Sequence, residues 1–165
     1  MAAMKWWGWG LDGVSFTHED KPELAGFIKE KLGLDVTRPT TQTSLAFEDL
    51  DIPEPNLPDV LRAVLVEAVG EAHLSVDPLD RITHGRGKSI RDLIRQRRGD
   101  LPRVPDAVVR PADEEQVNAV VQAAIAADAV VIAFGGGSSI SGSLEARPDE
   151  ARPVLSVDMS RLDQV

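Results

Sequence analysis

The chain has 165 residues, 42% of them hydrophobic, and a formal net charge of −9. That length suits one domain with a real core, and an acidic surface repels nucleic acid, so no nucleic-acid partner is expected and any anion site has to be local. With no cysteine and three histidines, disulfides and thiolate metal sites are excluded and no metal centre is expected.

The opening "MAAMKWWGWG" lacks the apolar segment of a signal peptide, and no apolar run reaches membrane-spanning length, so a cytoplasmic protein is expected. Trp6, Trp7 and Trp9 read as packing of an N-terminal arm in preference to a ligand cage. Leu24, Phe27, Ile28 and Leu32 recur at helical spacing between Pro22 and Gly33, which predicts a helix over 22–32. The following "TRPTTQTSLAFEDLDIPEPNLP" has no sustained period and reads as an extended connector. Leu61, Val64, Leu65 and Ala68 then mark a second helix, opened by Pro58 and closed by Gly70.

Between Arg81 and Arg103 stand eight Lys or Arg against two Asp, so that stretch is net +6 and the rest of the chain −15. Within it, "SIRDLIRQRRG" predicts a helix with Ile90, Leu93 and Ile94 inward and Arg91, Arg95 and Arg98 outward. The arginines are either a solvated face or a phosphate-facing one, with Arg91 and Arg95 as candidates for a substrate phosphate. Just upstream, Gly87, Lys88 and Ser89 imitate the end of a Walker A loop. Ile82 stands where its first glycine belongs, and no buried strand precedes it, so triphosphate hydrolysis is disfavoured. His73 and His84 read as structural or exposed.

After Pro102, "PDAVVRP" is a short strand and "ADEEQVNAVVQAAIAAD" a helix. Asp113 and Gln116 form its capping box, and Val117, Val120, Val121, Ala124 and Ile125 its apolar stripe. The strand "AVVIAF" follows, giving a βαβ unit with parallel strands, and a third strand, "PVLSVDM", comes later. Gly135, Gly136 and Gly137 sit at the carboxyl end of the second strand, where open α/β sheets bind ligands. Successive glycine N–H groups make a nest for phosphate or pyrophosphate, and Ser138, Ser139 and Ser141 add hydroxyl donors. Ile140 replaces the third glycine of a dinucleotide fingerprint and no helix follows, so a Rossmann mode is disfavoured.

These residues resemble the FAD-linked oxidase family that contains vanillyl-alcohol oxidase, and within it the alkyldihydroxyacetonephosphate synthase branch. "PDAVVRPADEEQVNAVVQAA" is similar to the opening strand and helix of the family's FAD-binding domain, and "FGGGSSISG" to its pyrophosphate loop. "MKWWGWG" and "RITHGRGKSIRDLIRQRRGDLPRVPD" resemble segments of the synthase branch.

The resemblance implies an α+β chain: an N-terminal helical and extended region over 1–100, then over 101–165 the first βαβ part of a PCMH-type FAD-binding domain, incomplete at its C-terminus. It implies FAD held noncovalently against Ala133, Phe134, Gly135, Gly136, Gly137, Ser138, Ser139, Ile140 and Ser141, since the loop offers neither histidine nor cysteine as a tether. It further implies a flavoenzyme of ether-lipid synthesis, with an oxidase of a 2-hydroxy acid or alcohol, or a non-catalytic binding module, as alternatives. The substrate would be lipid-like or a hydroxy acid, and the resemblance allows a homodimer and peripheral membrane association of the full-length enzyme. The family's catalytic residues lie further along than this chain reaches, so a fragment inactive by itself is expected.

Overall fold

A computed structural model describes residues 4–14, 21–38 and 45–163; residues 39–44 of the expected connector lie outside the described residues. Five helices and four strands are named here in chain order: α1 (Leu24–Leu32), α2 (Asp59–Val69), β1 (Leu74–Ser75), α3 (Pro78–His84), α4 (Ile90–Arg97), β2 (Ala107–Val109), α5 (Glu114–Ala126), β3 (Val130–Phe134) and β4 (Val154–Asp158).

The helix signals read from the sequence have physical counterparts. Gly33 ends α1 at φ 67°, the left-handed cap that glycine adopts without a Cβ penalty. The Asp113 carboxylate accepts the Gln116 N–H at 2.8 Å to start α5. The return bond of this capping box lands one residue early, because the Gln116 side chain accepts from the Ala112 N–H at 2.8 Å.

The sheet has the order β1-β2-β4-β3, with β1 antiparallel to β2 and the remaining pairs parallel. The expected βαβ unit is present, but its two strands are not neighbours: β4 lies between them. All five residues of β4 are buried, as a central parallel strand requires, whereas β3 alternates towards solvent as an edge does. The main core joins Leu61 and Leu65 of α2 and Leu74 of β1 to Val109, Val120 and Leu155, drawing on both sides of residue 100. A smaller cluster packs Trp6 with Ile82, Leu101 and Val104, which gives the tryptophan arm its anchor; Trp7 and Trp9 are exposed.

One expectation about the basic stretch is corrected: Ile90 is 79% exposed and Ile94 is also exposed, while α4 buries Asp92, Leu93 and Gln96. Outside α4, Arg81, Arg86 and Lys88 of the same stretch are buried. Each reaches a main-chain carbonyl: Arg81 donates to Pro105 O and Pro53 O, both at 2.7 Å, Arg86 to Asp100 O at 2.6 Å, and Lys88 to Lys5 O at 2.8 Å. Irregular segments have carbonyls that no helix or ladder satisfies, and long cationic side chains supply the missing donors.

Candidate functional site

The glycine loop leaves the carboxyl end of β3 and borders a cleft of ≈ 700 Å³, whose walls include Met4, Leu11, His84, Arg110, Gly135 and Gly136. The three glycines have different reasons to be bare. Gly137 is held at φ 65°, and a Cβ there would stand 2.7 Å from the Phe134 ring and 3.3 Å from the Met4 methyl. Backbone conformation and packing both demand glycine at that position. Gly135 and Gly136 lack a positive φ, and an added Cβ would meet nothing within 4 Å. No packing among the described residues requires glycine at either position.

The remaining loop residues divide. Phe134 is buried, its ring 4.1 Å from that of His84. Ser138, Ile140 and Ser141 are exposed, as is Ala133. Ser139 is turned inward: its carbonyl accepts the Lys88 N–H at 2.7 Å, and its hydroxyl lies 2.8 Å from that of Ser143. The Walker-like segment is therefore the support of the glycine loop. A Cβ on Gly87 would stand 2.0 Å from the Ser139 carbonyl oxygen, so only glycine permits the approach. Ser89 caps α4 by accepting the Asp92 N–H at 3.0 Å, and the preceding element is the helix α3, not a strand.

The cleft floor is a four-membered charge cluster that sequence reasoning missed, since Asp80 and His84, one turn apart on α3, meet Arg110 and Asp158 from distant parts of the chain. Arg110 Nη2 lies 2.6 Å from Asp80 and its Nε 3.0 Å from Asp158, while His84 places Nε2 3.2 Å from Asp158 and Nδ1 3.3 Å from Asp80. Burial alone would lower the His84 pKa, but hydrogen bonds to Asp158 and Asp80 outweigh it and raise the imidazole to about 9. Burial likewise works against both carboxylates, yet the His84 and Arg110 bonds hold Asp80, and the His84 and Ser160 bonds hold Asp158, below the ordinary value. Two cations facing two anions leave the floor without spare charge.

Arg91 and Arg95 do not line the cleft. Arg91 is exposed, and Arg95 is already bound to Asp100 and Glu145, each at 2.6 Å. Among the described residues there is no group of three or more His, Asp or Glu that could hold a metal, and no helix is long and apolar enough to cross a membrane.

Residues 105–165 match the family described as FAD binding domain. The chain is 35% identical to the alkyldihydroxyacetonephosphate synthase of Dictyostelium discoideum, over 98% of this chain and 30% of that protein. It is 29% identical to the synthase of the same name from Caenorhabditis elegans, over 98% of this chain and 29% of that one. A solved structure of alkyldihydroxyacetonephosphate synthase superposes with a TM-score of 0.83 at 32% identity, over 98% of this chain and 34% of the solved one. The chain thus spans about a third of the length of the relatives it matches.

Proposed function

On the premise that residues 105–165 belong to the FAD-binding domain family, we propose that Gly135 and Gly136 cradle the diphosphate of FAD and hold it noncovalently through main-chain N–H groups. The open space where their Cβ atoms would stand, on the border of the cleft, supports this reading: it leaves the main chain accessible to a phosphate ester that a side chain would displace. No side chain in the cradle could tether the flavin. His84, which lies near it, is buried with a carboxylate at each ring nitrogen.

With relatives named for alkyldihydroxyacetonephosphate synthesis, the activity we assign to the full-length protein is exchange of the acyl chain of an acyl-dihydroxyacetonephosphate for a fatty alcohol. FAD would supply the covalent chemistry on the lipid substrate. This chain's contribution is to bind and orient the cofactor.

Gly136→Val is a clean test, because the added side chain meets no protein atom at its Cβ. The variant should keep the wild-type melting midpoint and lose FAD binding by tenfold or more, read by calorimetry or flavin fluorescence. Retained affinity would remove the loop from the cofactor site.

A further inference from the structure

The N-terminal hairpin is held in place by residues that the cofactor reading does not use. Among the described residues it is joined within itself by the Met4–Leu11 bridge, a Lys5 N–H to Gly10 carbonyl bond of 3.0 Å, the Lys5 ammonium over the Trp7 ring and bonds at Val14, too little for a two-stranded ribbon to persist in water. Its position comes from elsewhere. Trp6 is buried in the smaller core cluster. Lys88 Nζ donates to the Lys5 carbonyl at 2.8 Å, and Arg97 Nε donates to the Trp7 carbonyl at 2.7 Å with its guanidinium 5.7 Å from the Trp7 ring. Burial pushes the Lys88 pKa down to about 8, so this fastening is kept at a desolvation cost.

The fastening turns the bridge pair, Met4 and Leu11, into the cleft. The Met4 methyl reaches 3.3 Å from the position of a Gly137 Cβ, and Leu11 is 43% exposed on the cleft's rim. The cleft therefore has a charge-neutral polar floor, an apolar wall made by the hairpin, and the open glycine cradle bordering both.

We propose that residues 4–11 are the apolar wall of the cofactor cleft and that Met4 and Leu11 seat a planar heteroaromatic ring of the dinucleotide, with Lys88 and Arg97 as the fasteners. This rests on the diphosphate lying at Gly135 and Gly136. A thioether and a branched aliphatic group beside an anion cradle suit a flat ring carried on a phosphate ester. Adenine and isoalloxazine share that chemistry.

The test uses the whole chain and amide chemical shifts, which register weak binding. Added FAD should shift the amides of Gly135 and Gly136 together with those of Met4 and Leu11. ADP reproducing the hairpin shifts assigns the ring as adenine, and FMN reproducing them assigns isoalloxazine. Shifts in the loop without shifts in the hairpin would overturn this inference and leave the diphosphate reading standing, while no shift at Gly135 or Gly136 would overturn both. The Met4→Glu, Leu11→Glu double variant should bind FAD at least fivefold more weakly; unchanged affinity refutes the wall. Lys88→Met, which removes a fastener without touching the cleft lining, should speed tryptic cleavage after Lys5 and weaken FAD binding about threefold, and wild-type values for both would refute the fastening. Trp9→Ala, at an exposed position, should leave FAD affinity unchanged, and a loss there equal to that of the double variant would also refute the specific wall.

Discussion

His84 has an acceptor at each ring nitrogen, Asp80 on one side and Asp158 on the other, an arrangement that only the doubly protonated ring satisfies. Unfolded it titrates near 6.5, folded near 9. The native state keeps a proton that the unfolded chain has released between those values. The resulting stabilisation, no more than about 3 kcal/mol, is complete below pH 6.5 and is lost as pH rises through 9. Asp80 and Asp158, both held below 3.8, contribute above that value and lose their contribution on acidification. Lys88, lowered from 10.5 to about 8, makes stability rise with pH only above 8, because there the unfolded chain binds more protons. A denaturant midpoint followed across pH should therefore fall between pH 6.5 and 8, and His84→Gln should flatten that fall. A flat wild-type profile over the same window would show the imidazole to be neutral. Glycines were legible at this scale only as a group. The triplet after a β-branched run announces a bare loop, but φ at Gly137 and the Ser139 carbonyl against Gly87 are what separate the glycines that packing requires from Gly135 and Gly136, which it does not. Gly87→Ala should accordingly cost at least 2–3 kcal/mol of stability in chemical denaturation, as overpacking against backbone does, whereas Gly136→Ala should cost less than 1 kcal/mol.

The helix α4 shows where element-level pattern stops. Its start is marked by Ser89, which caps it, and its period is helical, yet the buried face runs through Asp92, Leu93 and Gln96. Apolar spacing pointed to Ile90 and Ile94 because it assumes that a core wants hydrocarbon. Here the helix packs among buried polar groups: the Gln96 amide donates to Ile82 O at 2.8 Å, and buried Asp92 lies close enough to Arg86 to oppose the lowering of its pKa by burial. Polar partners were needed inside, so the isoleucines turned out. Ile90→Lys should then change the unfolding free energy by less than about 0.5 kcal/mol, while Leu93→Ala should lower it by about 2–4 kcal/mol; reversed values would restore the apolar face. By contrast the capping of α5 and the position of β4 were readable from local rules, but the α5 stripe was only half legible: Val120 and Ala124 are buried as expected, Ala123 joins them, and Ile125 is 68% exposed.

At the scale of the whole molecule, one buried carboxylate ties distant segments to the sheet. Asp106 accepts from Asn56 N and Val154 N, both at 2.7 Å, and from both terminal nitrogens of Arg103 at 2.9 and 2.6 Å. Asp106→Ala should cost about 3–5 kcal/mol, since it removes the counter-charge of the Arg103 guanidinium and leaves two amide donors without their acceptor; a loss below 1 kcal/mol would make the hub dispensable. The sequence separation of these partners, up to 50 residues, is why no local pattern revealed it. The strand order was hidden for the same reason. β4 is the last strand in the chain, yet it stands between β2 and β3, and a ribosome delivers it after both. Until Val154–Asp158 emerge, β2, with β1 on one side, has β3 to pair with on the other. That premature pairing, formed in parallel across α5, would fill the slot β4 needs. A chain cut after Asp149 should therefore lack native amide dispersion, and in the intact protein the rate of translation through 135–158 would govern how much nascent chain is caught with its sheet closed one strand too early.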